Sequence, residues 1–368
     1  MSEVILLAHG AGGRKSADLI RDLFLRHFGN PALNVLGDSA VLEIPGGKVA
    51  FTTDSFVVDP LFFPGGDIGK LAVCGTVNDL AAAGARPLAL SAAFILEEGL
   101  DLDTLERVVA SMARTASEVG VPIVTGDTKV VPRGSADRIF ITTSGIGIPF
   151  VAQRQTPPQP SPQRGGGYPP TLPPRCGEGW GGVCLCAPSP ECAAQGDAVI
   201  LSGTIADHGM AVMTCREGIS FESEIESDCA PLDTLVVSML EACPDIHCLR
   251  DPTRGGVATS LNEIAVQSGV CIEIYEPAIP VNENVRVACE LLGIDPLHVA
   301  NEGKMLAVVP QECAEAVVEA MRAHPYGRRA CVIGRVQERP AGRVHLRTAL
   351  GSLRILDIPA GDLLPRIC

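Results

Sequence analysis

The chain has 368 residues, of which 46% are hydrophobic and 4% aromatic, and its formal net charge is −14. This length predicts two domains, and the shortage of aromatic residues predicts cores of Ala, Val, Leu and Ile in α/β layers. The negative charge repels phosphate backbones and argues against a nucleic-acid partner, although a divalent cation can still join carboxylates to a nucleotide.

The first residues, MSEVILLAHG, lack the basic region and the cleavage site of a signal peptide. The chain also has no apolar run long enough for a transmembrane helix. We therefore expect a cytoplasmic protein with no membrane partner.

The opening segment, VILLAHGAGGRKS, predicts a strand, a glycine loop and a helix. A P-loop is excluded because His9 and Arg14 stand where its glycines are required, and the dinucleotide motif fails because its third glycine would fall on Lys15. Two interpretations of Gly12 and Gly13 stay open: a mobile N-terminal tail, or a flap whose backbone N–H groups reach a phosphate.

Strands and helices are predicted to alternate from residue 34 to residue 150. The helix over 68–83 is apolar nearly all round and therefore buried, whereas the helix over 102–119 is amphipathic and ends at Gly120. Strands are predicted over 34–44, 48–54, 87–98, 122–128 and 138–147.

Residues 153–182 differ from the rest of the chain, since 15 of these 30 residues are Pro or Gly and no apolar periodicity is present. Such a segment buries too little apolar surface to offset its ordering entropy, so 151–194 is interpreted as a disordered insertion and linker. The alternative is a proline-rich ligand for a partner domain, because Pro-x-x-Pro occurs at 170–173.

The alternation resumes after this insertion, and the whole pattern predicts domains of residues 34–150 and 195–345. Residues 1–33 form an N-terminal glycine-rich segment with a helix, and residues 346–368 form closing strands and a tail. The second domain is predicted to contain strands over 197–203, 271–276 and 304–310, and helices over 205–215, 255–268, 282–292 and 311–323.

The 14 cysteines include no C-x-x-C pair, and Cys184 and Cys186 form a lone C-x-C. A zinc site is one interpretation. The other, which we favour, is that most of them are small buried hydrophobic residues in a reducing compartment. Cys368, the last residue, is treated separately below.

Four aspartates, each flanked by small or hydroxyl residues, fall on different predicted elements. Asp54 and Asp127 end strands, where α/β ligand sites lie, and Asp79 follows Asn78 inside an apolar helix, where a lone carboxylate is costly to bury. Together with Asp38 and Asn78 they could bind ATP and hold Mg²⁺ on oxygen ligands, and so share that cost. Any one of them alone is more often a cap or turn residue.

The run DPTRGG, which includes Asp251, Thr253 and Arg254, precedes a predicted helix. Asp251 or Thr253 could cap that helix, or the glycines could let backbone N–H groups approach a phosphate at its N-terminus. His208 is a further candidate for phosphate or substrate, although a single histidine is more often structural.

A set of motifs resembles the HypE family of hydrogenase maturation proteins. The motifs are GDSAV, DPLFFPGGDIGKLAV, NDLAAAG, TGDTKVV, DPTRGG, NEGK and the terminal PRIC. That family belongs to the superfamily of aminoimidazole ribonucleotide synthetase, selenophosphate synthetase and thiamine-monophosphate kinase. The insertion departs from the family pattern and removes none of these motifs.

The resemblance implies a mixed α+β fold of two domains, with the N-terminal domain forming a barrel-like dimer interface and binding ATP and Mg²⁺. It implies a homodimer in which Asp54, Asp79 and Asp127 hold Mg²⁺. A carbamoyltransferase, HypF, would load a carbamoyl group onto Cys368. ATP-dependent dehydration would then yield a thiocyanate, whose cyanide passes to iron on a HypC–HypD complex for nickel–iron hydrogenase.

The resemblance also assigns roles to Lys129, as the cation for the transferring phosphoryl group, and to Glu302, as the base. From the residues alone, an exposed strand-end lysine and a loop glutamate are equally consistent. Two rival functions stay open, a small-molecule kinase or synthetase of the same superfamily and a non-catalytic ATP-binding scaffold.

The terminal segment GDLLPRIC is predicted to be a mobile arm, because Pro365 prevents a helix from reaching the end. The thiol of Cys368 is the predicted covalent carrier, since a thiolate is strongly nucleophilic. The adjacent α-carboxylate opposes thiolate formation, so we expect activation by the partner enzyme's site.

Overall fold

The computed structural model describes residues 4–150, 187–219, 221, 224–358 and 366–368. The segment predicted to be a disordered insertion, 153–182, lies outside the described residues. Among the described residues, no helix has both the length and the apolar character needed to cross a membrane.

The N-terminal segment contains no strand over residues 4–13, so the predicted opening strand is wrong. Val4, Ile5 and Leu7 are exposed there, and no described strand pairs with them. The segment consists of a 3₁₀ turn (Leu7–His9), helix α1 (Arg14–Leu19), a π-helical turn (Ile20–Phe24), helix α2 (Leu25–Phe28) and a second 3₁₀ turn (Leu33–Val35).

The first domain is a five-stranded sheet with two helices packed on one face. The strands are β1 (Ala40–Ile44), β2 (Gly47–Phe56), β5 (Ala85–Glu97), β6 (Ile123–Val131) and β7 (Ile139–Pro149), and a separate small hairpin is formed by β3 (Phe62–Phe63) and β4 (Gly66–Asp67). The helices are α3 (Ile68–Ala82) and α4 (Leu102–Val119).

Local sequence explains these helices and the first hairpin. The Asp67 carboxylate caps α3 by accepting from the backbone N–H groups of Gly69 and Lys70, and Gly120 ends α4 in the left-handed conformation (φ 76°), as predicted. A turn at Pro45 and Gly46 joins β1 to β2, with Ala40 opposite Phe51. The hydrophobic cluster of this domain includes Phe56, Leu71, Leu90, Met112 and Ile141.

The second domain is a seven-stranded sheet in the order β14-β13-β10-β12-β8-β11-β9. Its strands are β8 (Ala198–Leu201), β9 (Cys248–Arg250), β10 (Cys271–Tyr275), β11 (Leu306–Val309), β12 (Cys331–Gln337), β13 (Arg343–Arg347) and β14 (Leu353–Ile355). Its helices are α5 (Asp207–Glu217), α6 (Asp233–Ala242), α7 (Gly256–Ser268), α8 (Glu283–Leu292) and α9 (Ala314–Ala323).

Helices cover both faces of this sheet. Because side chains alternate along a strand, Val199 and Leu201 of β8 pack in the cluster that contains α7, whereas Ala198 and Ile200 pack in the cluster that contains α6 and α9. Helix α6 and strand β9 were not predicted, and a strand of three residues is too short to show a period.

The predicted two-domain mixed fold is confirmed. Strand pairs are antiparallel except β5–β6 and β10–β13, which are parallel. The first sheet has the order β1-β2-β7-β5-β6 and does not close on itself among the described residues, so β1 and β6 are its edges. Within the described part of one chain, neither sheet closes into a barrel.

Candidate active site at the domain boundary

Three carboxylates from three elements converge between the two domains. Asp38 precedes β1, Asp79 lies near the end of α3, and Asp251 follows β9. One oxygen of each lies within 4.8 Å of the others. The three groups come from both domains, so the cluster exists only in the folded chain.

Burial and mutual repulsion make this cluster electrostatically unfavourable without a cation. Burial, followed by the charges of Asp251 and Asp54, raises the pKa of Asp79 well above its usual range. Burial raises the pKa of Asp251 to about 6 and also raises the pKa of Asp38. One Asp251 oxygen is buried without a hydrogen-bond partner. An all-carboxylate donor set with an unpartnered oxygen fits Mg²⁺.

Two residues that the sequence analysis missed hold the cluster in place. The Thr52 hydroxyl lies 2.6 Å from Asp79 Oδ2, and Arg250 Nη1 lies 2.9 Å from Asp38 Oδ1. Arg250 also pairs with Glu263 and donates to the Leu36 carbonyl oxygen, so it joins the second domain to the loop before β1. Arg250 directly precedes the DPTRGG motif, and this position in the sequence could have marked it as a residue of the site.

The glycine-rich N-terminal loop lies over the DPTRGG loop. Gly12 has φ +72°, and a Cβ there would lie 2.7 Å from the Arg254 carbonyl oxygen, so only glycine allows this approach. Helix α7 has Gly255 as its N-cap and no side-chain cap, so neither Asp251 nor Thr253 caps it. Of the two interpretations of the N-terminal glycines, the flap describes their position better than the free tail does.

Arg254 occupies the centre of the site. Its Nη2 lies 3.7 Å from Asp54 Oδ1, and the charge of Arg254 opposes the rise that burial causes in the pKa of Asp54. The same guanidinium group interacts electrostatically with the Cys368 thiol and the Glu302 carboxyl group. A cation therefore lies between the carboxylates and the end of the chain.

The last three residues are docked in this site, and for them the predicted mobile arm is wrong. Ile367 is 3% exposed, and its carbonyl oxygen accepts a hydrogen bond from His208 Nε2 at 2.9 Å. Arg216 Nη2 donates to the Arg366 carbonyl oxygen at 2.6 Å, and the Arg366 side chain pairs with Asp59 and Asp137. Burial of the Ile367 side chain and these polar contacts offset the entropy of ordering the terminus.

Docking brings Cys368 to Glu302. Burial, opposed by Arg254 and reinforced by Glu302 and Asp54, raises the pKa of the Cys368 thiol. Glu302 is 3% exposed, and its Oε1 has no hydrogen-bond partner. Burial, followed by Cys229 and Asp251, raises the pKa of Glu302 well above its usual range. Burial in the docked state therefore favours the neutral form of both groups.

The Asn78 side chain holds the backbone of Glu302 by a hydrogen bond. Its Nδ2 donates to the carbonyl oxygens of Ala230 and Glu302, both at 3.1 Å, and its Oδ1 accepts from the Leu232 N–H at 2.8 Å. Both amide hydrogens are thus engaged with the backbone of the second domain. The ATP or Mg²⁺ role of Asn78 stays a prediction, and within the single chain this side chain joins the two domains.

Family models match both halves of the chain. Residues 36–149 match the N-terminal domain of the AIR synthase related proteins, and residues 194–347 match the C-terminal domain. Carbamoyl dehydratase HypE of Azotobacter vinelandii is 50% identical over 98% of this chain and 96% of the relative. The chain belongs to the HypE family. Carbamoyl dehydratase HypE of Escherichia coli is 45% identical over 99% of both chains.

Solved HypE structures have the same fold. A HypE structure in complex with ATP matches with a TM-score of 0.76 and 48% identity, covering 99% of this chain and 100% of that one. The structure of a HypE–HypF complex matches with a TM-score of 0.80 and 47% identity, covering 93% and 99%.

Two residues that resemblance to the HypE family assigned to the site lie apart from it in this chain. Asp127 and Lys129 are on edge strand β6, where they pair with each other at 3.1 Å and are largely exposed. Strands β7 and β5 separate β6 from Asp54 on β2, a distance of about 14 Å at the usual strand spacing. One chain therefore does not bring Asp127 to Asp54 and Asp79, and the proposed magnesium set is not assembled within it.

Proposed function

We propose that this chain is an ATP-dependent carbamoyl dehydratase, as its relatives are named, and that it converts a carbamoyl group on the Cys368 sulfur into a thiocyanate. The observation that carries the proposal is the docked terminus: Cys368 lies beside a buried carboxyl group, Glu302, and a cation, Arg254, next to the carboxylate cluster. A terminal cysteine held elsewhere in the fold would have no access to these groups.

The chemistry needs a better leaving group than hydroxide. Attack of the carbamoyl oxygen on the γ-phosphorus of ATP forms an O–P bond and releases ADP. Loss of both nitrogen-bound protons and cleavage of the C–O bond then give the C≡N group, and the oxygen leaves with phosphate. The sum is a thiocarbamate plus ATP giving a thiocyanate, ADP and phosphate, with the elements of water carried away on phosphate.

Each residue has a part in this sequence. Glu302, in its ionised form, accepts a proton from nitrogen, and its raised pKa makes it a stronger base than an ordinary carboxylate. Arg254 stabilises charge on the transferring phosphoryl group. Asp38, Asp79 and Asp251, with Asp54 nearby, would hold Mg²⁺, which neutralises phosphate charge when bound.

A homodimer is the second part of the proposal. Among the described residues, β6 is an edge strand whose outer backbone groups have no strand partner. Exposed apolar side chains on the sheet face away from α3 include Phe51, Ile95 and Ile146. A second copy would cover this face and bring its own Asp127 and Lys129 towards the carboxylate cluster of the first copy. Lys129 would then stabilise charge on the transferring phosphoryl group, the role that resemblance to the HypE family implies for it.

The reaction also needs a donor and an acceptor. A HypE relative has been solved with HypF, and we propose that a HypF-type carbamoyltransferase loads Cys368 in the cytoplasm. An iron centre on a HypC–HypD complex then accepts the cyanide for nickel–iron hydrogenase.

Mass spectrometry of the C-terminal peptide tests this function. After incubation with HypF, carbamoyl phosphate and Mg–ATP, the expected peptide is lighter by one water than its carbamoylated form. The Cys368→Ala chain should bind ATP and carry neither adduct. An unmodified Cys368 alongside ATP turnover on another small molecule would overturn the proposal in favour of a kinase.

A further inference from the structure

The docked terminus is held by one side chain that the proposed chemistry does not use. His208 Nε2 lies 2.9 Å from the carbonyl oxygen of Ile367, the residue before Cys368. A carbonyl oxygen only accepts hydrogen bonds, so Nε2 must carry a proton and donate it. His208 therefore binds the backbone of the chain terminus, whatever side chain precedes the cysteine.

The contacts of the other ring nitrogen, Nδ1, determine the tautomer of His208. Nδ1 lies 2.8 Å from Ser227 Oγ, and that oxygen already accepts the Cys229 N–H at 3.0 Å, which leaves the Ser227 hydroxyl proton for Nδ1. Burial lowers the pKa of His208, in agreement with a neutral ring. The ring is thus a neutral Nε2–H tautomer, and the hydrogen bond from Ser227 to Nδ1 holds its orientation.

The ring is also rigid. His208 is fully buried in the first turn of α5 and packs edge-on against the Phe63 ring, with centroids 5.4 Å apart. A buried donor whose acceptor leaves would lose its hydrogen bond, which is costly in an apolar setting. The donor therefore favours the docked position of the terminus.

We propose that His208 is a positioning residue, whose Nε2–H binds the Ile367 carbonyl oxygen and thereby places the Cys368 sulfur beside Glu302. The inference deepens the proposed function and rests on it for its purpose, but the contact itself does not depend on any reaction. Release of this hydrogen bond shifts the terminus towards an undocked state, in which the thiol is accessible to a carbamoyl donor.

Alkylation of Cys368 measures this docking without ATP or carbamoyl donor. Iodoacetamide is added to the full chain, and digestion before aspartate yields residues 362–368, which contain only Cys368, and residues 207–227, which contain only Cys215. Cys215 is exposed and serves as an internal standard for reagent and time. The ratio of the two alkylation rates reports the undocked fraction.

Two amide variants form a matched pair. In His208→Gln the longer side chain places an amide N–H near the position of Nε2, whereas in His208→Asn the amide stops short of Ile367. Both variants lose the ring packing against Phe63 equally. We expect the relative alkylation rate of Cys368 to rise about 3- to 10-fold in His208→Asn over His208→Gln, the range expected for one hydrogen bond.

Each outcome decides the proposal. Equal rates for the two variants and the unsubstituted chain would overturn it, as would an equal rise in both variants, which would assign the effect to ring packing. Thermal unfolding of both variants checks that the comparison is between folded chains. A chain that lacks dehydratase activity but shows the Asn–Gln difference would reject the proposed function and keep the positioning role.

Discussion

The Cys368 thiol and the Glu302 carboxyl group lie side by side in the folded chain, and burial raises the pKa of both groups. A protonated thiol is a poor nucleophile, so the docked terminus is not suited to accept a carbamoyl group. Docking therefore suits the second half of the proposed reaction, after the sulfur has been loaded elsewhere.

The decrease of the dehydration rate at low pH, the acid limb of its pH profile, should follow the protonation of Glu302. A base acts in its ionised form, and the raised pKa means that activity falls with decreasing pH at a higher pH than for an ordinary glutamate. Glu302→Gln should slow single-turnover dehydration of the carbamoylated chain by about 100-fold or more and abolish this limb. Unchanged single-turnover kinetics in Glu302→Gln would assign the proton transfer to another group.

Asp79→Asn should abolish ATP turnover and leave the fold intact. The substitution removes one charge from a cluster in which Asp251, Asp54 and Asp38 all raise the Asp79 pKa, so repulsion in the folded state falls. Melting temperatures with and without Mg–ATP should differ in the unsubstituted chain and coincide in the variant. The exposed Asp103→Asn is the matched control and should keep the ligand-induced shift.

Arg250→Met should lower the free energy of unfolding by about 3 kcal/mol, the usual cost of leaving buried carboxylates without their cation. Arg250 and Asp38 are 11% and 12% exposed, so water replaces the lost partner poorly. Urea unfolding measures the loss, and Arg21→Gln, which removes an exposed ion pair with Asp18, should change little. Equal free energies of unfolding for the two variants would show that Arg250 does not stabilise the contact between the domains.

Adding one alanine after Cys368 should prevent docking. Ile367 is buried and the partly buried Cys368 packs against the first domain's core, so an extra residue displaces the terminal carboxylate from its docked position. We expect alkylation of the thiol to be faster and dehydration to be slower, while ATP binding is kept. Normal dehydration in the extended chain would show that the site tolerates a longer terminus.

The His247–Asp197 pair should make stability fall with rising pH. The hydrogen bond that His247 Nδ1 donates to Asp197 Oδ2, at 2.7 Å, raises the pKa of His247 above its unfolded value near 6.5. The stabilisation is therefore complete below that value and is lost as pH rises through the folded pKa. His247→Gln should cost about 1 kcal/mol more at pH 6 than at pH 9, measured by urea unfolding. If the stability difference between the unsubstituted chain and His247→Gln does not change with pH, His247 and Asp197 do not form a charged pair.

The sequence by itself determined the family and most, though not all, of the regular elements. The helix over 102–119 begins and ends where predicted, because its apolar stripe and its terminal Gly120 are local signals. The motifs that identify the family are contiguous residues, so they need no structure. Where a local signal was weak, as in three-residue β9, prediction failed.

Only the tertiary structure decided which groups meet. Asp38, Asp79 and Asp251 come together while Asp127 stays on an edge strand, because strand order is set by long-range pairing that no local pattern encodes. The docked terminus was unpredictable for the same reason: its partners His208, Arg216, Asp59 and Asp137 are distant in the chain. Local patterning specifies elements, and the packing of distant residues creates the site where Cys368 reaches Glu302.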